Sequence, residues 1–126
     1  MIKIKHFTDA VEEDDGQRLW VEPIGLTLDL RDICSVDHVL PHLGPPRSLW
    51  EWYDKQGHEG YEYFRARYHE VLARSPYKQA LKDLADAAGN ENFTLLHQGD
   101  DPAHNTATAM YEFLTELQAY SPPAED

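Results

Sequence analysis

Alternation opens the chain. Ile2-Lys3-Ile4-Lys5-His6-Phe7 sets apolar and polar side chains in turn, the period of two that a half-exposed strand requires. Val11-Glu12-Glu13-Asp14-Asp15-Gly16 then gathers acids and closes on Asp-Gly. The glycine of that turn dipeptide tolerates positive φ, so a solvated loop is expected. β-favouring residues resume at Arg18-Leu19-Trp20-Val21-Glu22. Pro23 has no amide to give to a ladder and predicts the end of this second strand between Glu22 and Ile24.

Between Gly25 and Leu43 two periods compete. Leu26, Leu28 and Leu30 alternate, whereas Ile33, Val36, Val39 and Leu40 keep helical spacing, and the combination predicts a loop followed by one short helix. Gly44-Pro45-Pro46 breaks what precedes it, Ser48 to Tyr53 predicts a helical turn or two loaded with aromatics, and Gly57 and Gly60 bracket a connector. Tyr61, Phe64, Tyr68, Val71 and Leu72 recur at steps of three and four, giving a helix of about four turns with one apolar stripe. Ser75-Pro76 supplies a cap hydroxyl and a proline suited to the first helical position. The helix it predicts carries Tyr77, Ala80, Leu81, Leu84 and Ala88 inward and ends at Gly89-Asn90.

Phe93-Thr94-Leu95-Leu96-His97 is a short, nearly continuous apolar run, the signature of a strand buried on both faces. Asp101-Pro102 repeats the cap-plus-proline signal for a last helix whose inward stripe is Ala103, Ala107, Met110, Phe113, Leu114 and Leu117. The order of elements predicts a single-domain α/β sandwich over residues 1–120, a small, mostly parallel sheet packed with helices, followed by a flexible tail at 121–126. In such sheets ligands bind beyond the carboxyl ends of the strands. Glu22 to Gly25 and His97 to His104 are therefore expected to be neighbours.

Charge narrows the partners. A chain of 126 residues buries roughly two thirds of its unfolded surface and needs no staples. Its 23 Asp and Glu outnumber its 11 Lys and Arg, for a net charge of −12, which opposes non-specific binding to nucleic acid or to anionic membranes. The one local basic stretch is Arg65 to Arg74. Without an apolar run of membrane length or a signal-peptide block, a soluble cytoplasmic protein is expected. The single cysteine, Cys34, removes any intrachain disulfide and fits a reducing compartment.

The densest polar cluster is His97-Gln98-Gly99-Asp100-Asp101-Pro102-Ala103-His104-Asn105, where a buried strand leaves for a helix N-terminus with free backbone amides. It reads as an anion pocket, or as a metal site through His97, Asp100 or Asp101, and His104. The plain alternative is local: Asp101 as a helix cap, Asp100 shaping the turn, and the histidines bonded to nearby backbone. No established metal spacing matches, and neither a metal nor a cofactor is expected. His38 and His42 are four apart but separated by Pro41, and Cys34 sits among Asp29, Asp32 and Asp37, acids that would raise its thiol pKa. Trp50, Trp52, Tyr53, Tyr61 and Tyr63 could form a stacking platform, although core or contact packing is the commoner use of such side chains. Arg65, Arg67 and Arg74 read as a phosphate clamp or, beside Glu62 and Glu70, as a solvated helix face.

Phe64-Arg65-Ala66-Arg67-Tyr68-His69-Glu70-Val71-Leu72, then Thr94-Leu95-Leu96-His97, then His104-Asn105, resemble the YeaO-like branch of the domain-of-unknown-function family 488. The resemblance begins at Ile4-Lys5-His6 and Asp15-Gly16-Gln17-Arg18, includes Val21-Glu22, and runs to Phe113-Leu114. It implies a small cytoplasmic α/β protein. The chain departs where that family follows its second strand with a basic Asp-Arg-Leu-Trp-Pro-Arg-Gly stretch and this sequence has Glu22-Pro23-Ile24-Gly25-Leu26-Thr27-Leu28. The cationic fork that could hold a phosphate or carboxylate is gone. The expectation is a degenerate, non-catalytic member with a residual polar pocket lined by Arg18, Glu22, His97, His104 and Asn105, acting through a protein partner or as a homo-oligomer. The alternative is an enzyme on a small anionic or nucleotide-like substrate, with His104 as general acid/base and Glu22 as its carboxylate partner. That alternative requires Glu22 and His104 to reach one ligand.

Overall fold

The computed structural model describes residues 1–74 and 76–119. Four strands, β1 (Ile2–His6), β2 (Gln17–Trp20), β3 (His38–Val39) and β4 (Phe93–His97), alternate with five helices: α1 (Leu28–Ile33), α2 (Arg47–Gln56), α3 (Tyr61–Leu72), α4 (Tyr77–Ala87) and α5 (Thr106–Ala119). The sheet order is β1-β4-β2-β3, and every pairing is parallel. The expected α/β architecture is present. β4 is central, with Phe93 beside Ile2 on one flank and Gln17 on the other, and all its residues are buried, as its unbroken apolar run required.

The two sheet faces are covered unequally. Leu19, Val21, Phe93 and Leu95 meet Tyr61, Phe64, Tyr68 and Leu72 of α3, Leu81 of α4, and Met110 and Leu114 of α5 in one large core. Each such fully buried side chain contributes roughly 1.5–3 kcal/mol. Trp20 and Leu96 face the other way, where Val36 packs on them with Phe7, Ile24, Leu26, Cys34 and Val39 around the edge. The segment between β2 and β3, with Phe7 from the end of β1, thus covers this face. No helix among the described residues is long and apolar enough to cross a membrane.

Four local expectations are corrected. The acidic segment is not freely solvated: Glu13–Asp15 forms a 3-10 turn and Asp15 is buried. Gly16 makes this possible, with φ of 61° and a position where a Cβ would lie 1.9 Å from the Asn92 carbonyl oxygen, a site open only to glycine. In residues 25–43 the helix comes early, at Leu28–Ile33, where Thr27 Oγ1 accepts from the Leu30 amide at 3.3 Å. The spaced apolar residues that predicted a helix through Leu40 instead belong to a turn and to β3. Asp37 N–H donates to the Arg18 carbonyl at 2.9 Å and Leu40 N–H to Trp20 at 2.8 Å, so pairing with β2 wins over local periodicity.

The last helix begins at Thr106 rather than Asp101-Pro102. Asn105 is its cap, with Oδ1 accepting from the Thr108 amide at 2.8 Å. Asp101 is engaged earlier, its carboxylate accepting from the Ala103 amide and from His104 Nδ1, both at 2.9 Å. Pro76 stands one place before α4 rather than at its first position. Ser75, offered as that helix's cap, and the tail at 121–126 lie outside the described residues.

Candidate functional site

Parallel strands direct their carboxyl ends to one edge, and the chain leaving β2 and the chain leaving β4 meet there. Between them, walled by α2 and the 3-10 turn Gly57–Gly60, lies a cavity of about 320 Å³ lined by Glu22, Trp50, Tyr53, Asp54, His58, Gln98, Asp100, Asp101, His104, Asn105 and Thr106 among others. The volume suits a small molecule.

Glu22 forms the floor. Its side chain is buried, with Oε1 accepting from Trp50 Nε1 at 3.0 Å and Oε2 from the Gln98 amide at 2.9 Å. Burial pushes the carboxyl up from its ordinary value. The Gln98 amide, the Thr106 hydroxyl and the Trp50 indole oppose that rise, and Asp54 reinforces it. The carboxyl group is thereby held between the Trp50 indole of α2 and the backbone amide that follows β4.

His104 stands at the rim. Its Nδ1 is 2.9 Å from Asp101 Oδ2, its ring meets Tyr61 edge-on at 4.9 Å between centroids, and the His58 ring lies 5.9 Å away. The Tyr53 hydroxyl donates to the His104 carbonyl at 2.7 Å. Burial, with the Asp101 charge adding to it, pushes that phenol up to about 12, so it remains a donor at neutral pH. The Ala103 amide and the His104 ring hold the Asp101 carboxyl below its usual range. A carboxylate on Nδ1 orients the imidazole and leaves Nε2 for a ligand. The carboxylate partner of His104 is Asp101, not Glu22.

Of the residues singled out in the sequence, Glu22, His104 and Asn105 line this one cavity. Asn105 contributes mainly by holding the loop to the helix: Oδ1 caps α5 and Nδ2 donates to the Asp101 carbonyl at 2.9 Å. His97 lies elsewhere, beside a separate hollow of about 480 Å³ with Lys5, His6 and Asp9. Burial and the nearby His6 push its imidazole pKa down, and its ring packs edge-on to His6 at 5.5 Å. Arg18 is also outside the cavity. Its NH1 pairs with Asp15 Oδ2 at 2.7 Å, Nε donates to Ser35 O at 3.1 Å, and NH2 donates to Cys34 O at 3.0 Å and Asp9 O at 3.1 Å.

Asp54 and His58 were not anticipated. Trp50, Tyr53 and Asp54 are three and four apart on α2, the spacing that puts side chains on one helix face, so the signal existed once a helix was assigned. For a metal, His97, Asp100 and His104 do not converge. Among the described residues the grouping with ligand atoms close enough is Glu12, Asp14 and Asp15. Lys3 and Lys5 already serve it as cations, at 2.7 Å and 3.0 Å from Asp15.

Charge distinguishes the cavity. Its lining holds Glu22, Asp54, Asp100 and Asp101 and has neither lysine nor arginine. Asp54 and Asp100 have no basic side chain within ion-pair distance among the described residues. The family described as the inactive DUF488-N3 subclade matches residues 1–125 of the chain. No curated protein and no solved structure matches it.

Proposed function

This chain belongs to the inactive DUF488-N3 subclade, and we propose that it is a cytoplasmic binding domain that holds a small cation-bearing ligand, an amine or guanidinium compound, without converting it. The observation that carries this reading is the lining of the cavity. Three exposed or half-exposed carboxyl groups, Asp54, Asp100 and Asp101, stand around it above the buried Glu22 with no lysine or arginine, so an anionic or nucleotide-like molecule would meet like charge, while a cation meets attraction strengthened by partial exclusion of water. Trp50 and Tyr53 add aromatic surface to the lining, of the kind that favours a cation. Catalysis has little to work with: Glu22 is occupied by its donors, and no serine or cysteine lines the site.

Thermal-shift titration tests this. Primary amines and guanidinium compounds should raise the melting temperature saturably, as a ligand that binds only the folded state adds about 2.7 kcal/mol at a hundred times its Kd. Nucleotides and simple phosphates should leave it unchanged. Asp54→Asn and His104→Ala should each weaken the effect. Stabilisation by nucleotides but not amines, abolished by His104→Ala, would overturn the reading and restore the enzyme alternative.

A further inference from the structure

A groove of about 800 Å³ runs between α2 and α3 and shares no lining residue with the cavity. Each wall is one continuous helix face. On α2, Leu49, Trp52 and Gln56 fall within about 60° of arc, and on α3 Tyr63, Arg67, Glu70 and Val71 fall within about 100°. The two helices run in opposite directions. Gly60 sits against Trp52 and Gln56, where a Cβ would come within 3.0 Å and 2.9 Å, while Pro46 and Arg47 meet Val71 around an adjoining hollow. Toward the Gly60 end the Trp52 and Tyr63 rings meet edge-on at 5.0 Å between centroids, and they stay 37% and 53% exposed. Arg67 lies over the Tyr63 ring at 5.1 Å, and Glu70 takes its charge at 2.9 Å.

The walls and their charges identify the occupant. Backbone groups inside a helix bond to their own turns, so neither wall offers an edge on which a strand could pair. A helical occupant would keep its bonds to itself, but it needs an apolar seam several turns long. Here Gln56 and the pair of Arg67 and Glu70 stand among the apolar residues. Proline-rich chain in the polyproline II conformation needs neither an edge nor a long seam, and its rings pack on exposed aromatic side chains. The ends of the groove carry opposite charges: Glu59 at one and Arg74 at the other are exposed, with no ion-pair partner among the described residues. At helical rise these two positions are on the order of 20 Å apart, the length of about six or seven polyproline II residues. We infer that the groove binds a proline-rich segment of another protein, with its prolines on Trp52 and Tyr63, a carboxylate at one end on Arg74 and a lysine or arginine at the other on Glu59. This surface is independent of the cavity, and neither proposal needs the other.

The test titrates the full chain into three end-blocked, labelled peptides and follows fluorescence anisotropy. The first is Lys-Pro-Pro-Ala-Pro-Pro-Glu, the second has alanine at every proline, and the third ends in lysine instead of glutamate. The first should bind saturably and the alanine peptide at least about tenfold more weakly. Tyr63→Ala should weaken the first peptide by a similar factor, as loss of an aromatic anchor does. Arg74→Glu should shift the ratio of the first and third affinities toward the lysine-ended peptide by about fivefold, a comparison in which the attraction of the whole acidic chain for lysine largely cancels. Both substituted positions are exposed, so the fold should survive each variant. The inference is overturned if the first peptide does not bind, if the alanine peptide binds as well, if Tyr63→Ala keeps wild-type affinity, or if Arg74→Glu leaves the ratio unchanged.

Discussion

Arg18→Met is the sharpest test of how this fold uses its buried charge. The guanidinium is buried and pairs with Asp15, itself buried, at 2.7 Å, while its other nitrogens hold the carbonyls of Asp9, Cys34 and Ser35. Removing one partner of a buried pair typically costs about 3–5 kcal/mol, because a charge is left without compensation. Here Asp15 retains Lys3 and Lys5, which lowers that part of the cost. The released carbonyls add to it, at roughly 1–3 kcal/mol for each that water fails to reach. The expected loss is therefore about 3–5 kcal/mol, a large share of the roughly 5–15 kcal/mol that holds a typical domain folded. Urea unfolding reads it directly, as a fall in the midpoint at an unchanged slope. Arg18→Lys should fall between the two, since it keeps the charge but not the planar fork. Arg18→Lys should also leave binding in the cavity at wild-type affinity, because Arg18 does not line it. A change within about 0.5 kcal/mol for Arg18→Met, or loss of ligand binding in a stable Arg18→Lys, would refute this account and return Arg18 to the site.

Two further outcomes follow from single positions. Gly16→Ala forces a Cβ to within 1.9 Å of the Asn92 carbonyl oxygen at a positive φ; strain and overpacking of roughly 1–3 kcal/mol each should appear in thermal or urea unfolding, and near-wild-type stability would refute the requirement for glycine at this turn. Glu22 titrates upward in the fold relative to its ordinary value of 4.5, so the folded state binds its proton more tightly than the unfolded chain. Its ionisation therefore weakens stability as pH rises from about 4.5 through the folded value. Comparing urea midpoints across that window, Glu22→Gln should remove this decline, and an unchanged pH profile would refute the assignment.

The elements that the sequence pattern could reveal were those whose burial follows one regular spacing or an unbroken apolar run. The stripe from Tyr61 to Leu72 and the apolar run Phe93 to His97 each carry their burial in their own spacing. Residues 25–43 do not. β3 exists because Asp37 and Leu40 bond to the backbone of β2, partners some twenty positions away that no local period encodes. The start of α5 was ambiguous for a different reason. Asp101 and Asn105 are both good caps, and only the turn that engages Asp101 with Ala103 and His104 leaves the role to Asn105. At the site, Glu22 and His104 were legible from their places after parallel strands. Arg18 was misleading because an arginine in a strand reads equally as a ligand or as a strut. The clue was Asp15, three residues earlier across a glycine turn.

The acidity of the chain gains meaning from where its bases go. Lys3, Lys5 and Arg18 converge on Asp15 and its neighbours. Arg47 meets Glu51, Arg65 meets Glu62 and Glu112, and Arg67 meets Glu70 while lying over the Tyr63 ring. Basic side chains are thus largely engaged in holding the fold or in neighbouring pairs along its helices. Among the acids left without such partners in the described residues are Asp54 and Asp100 at the cavity and Asp29 and Asp32 on α1. The cavity thus combines uncompensated negative charge with the half-buried aromatic side chains of Trp50 and Tyr53. A concave acidic site favours a small cation. The charge imbalance of the chain therefore bears most directly on which ligand charge the cavity would admit, in a protein whose subclade is inactive.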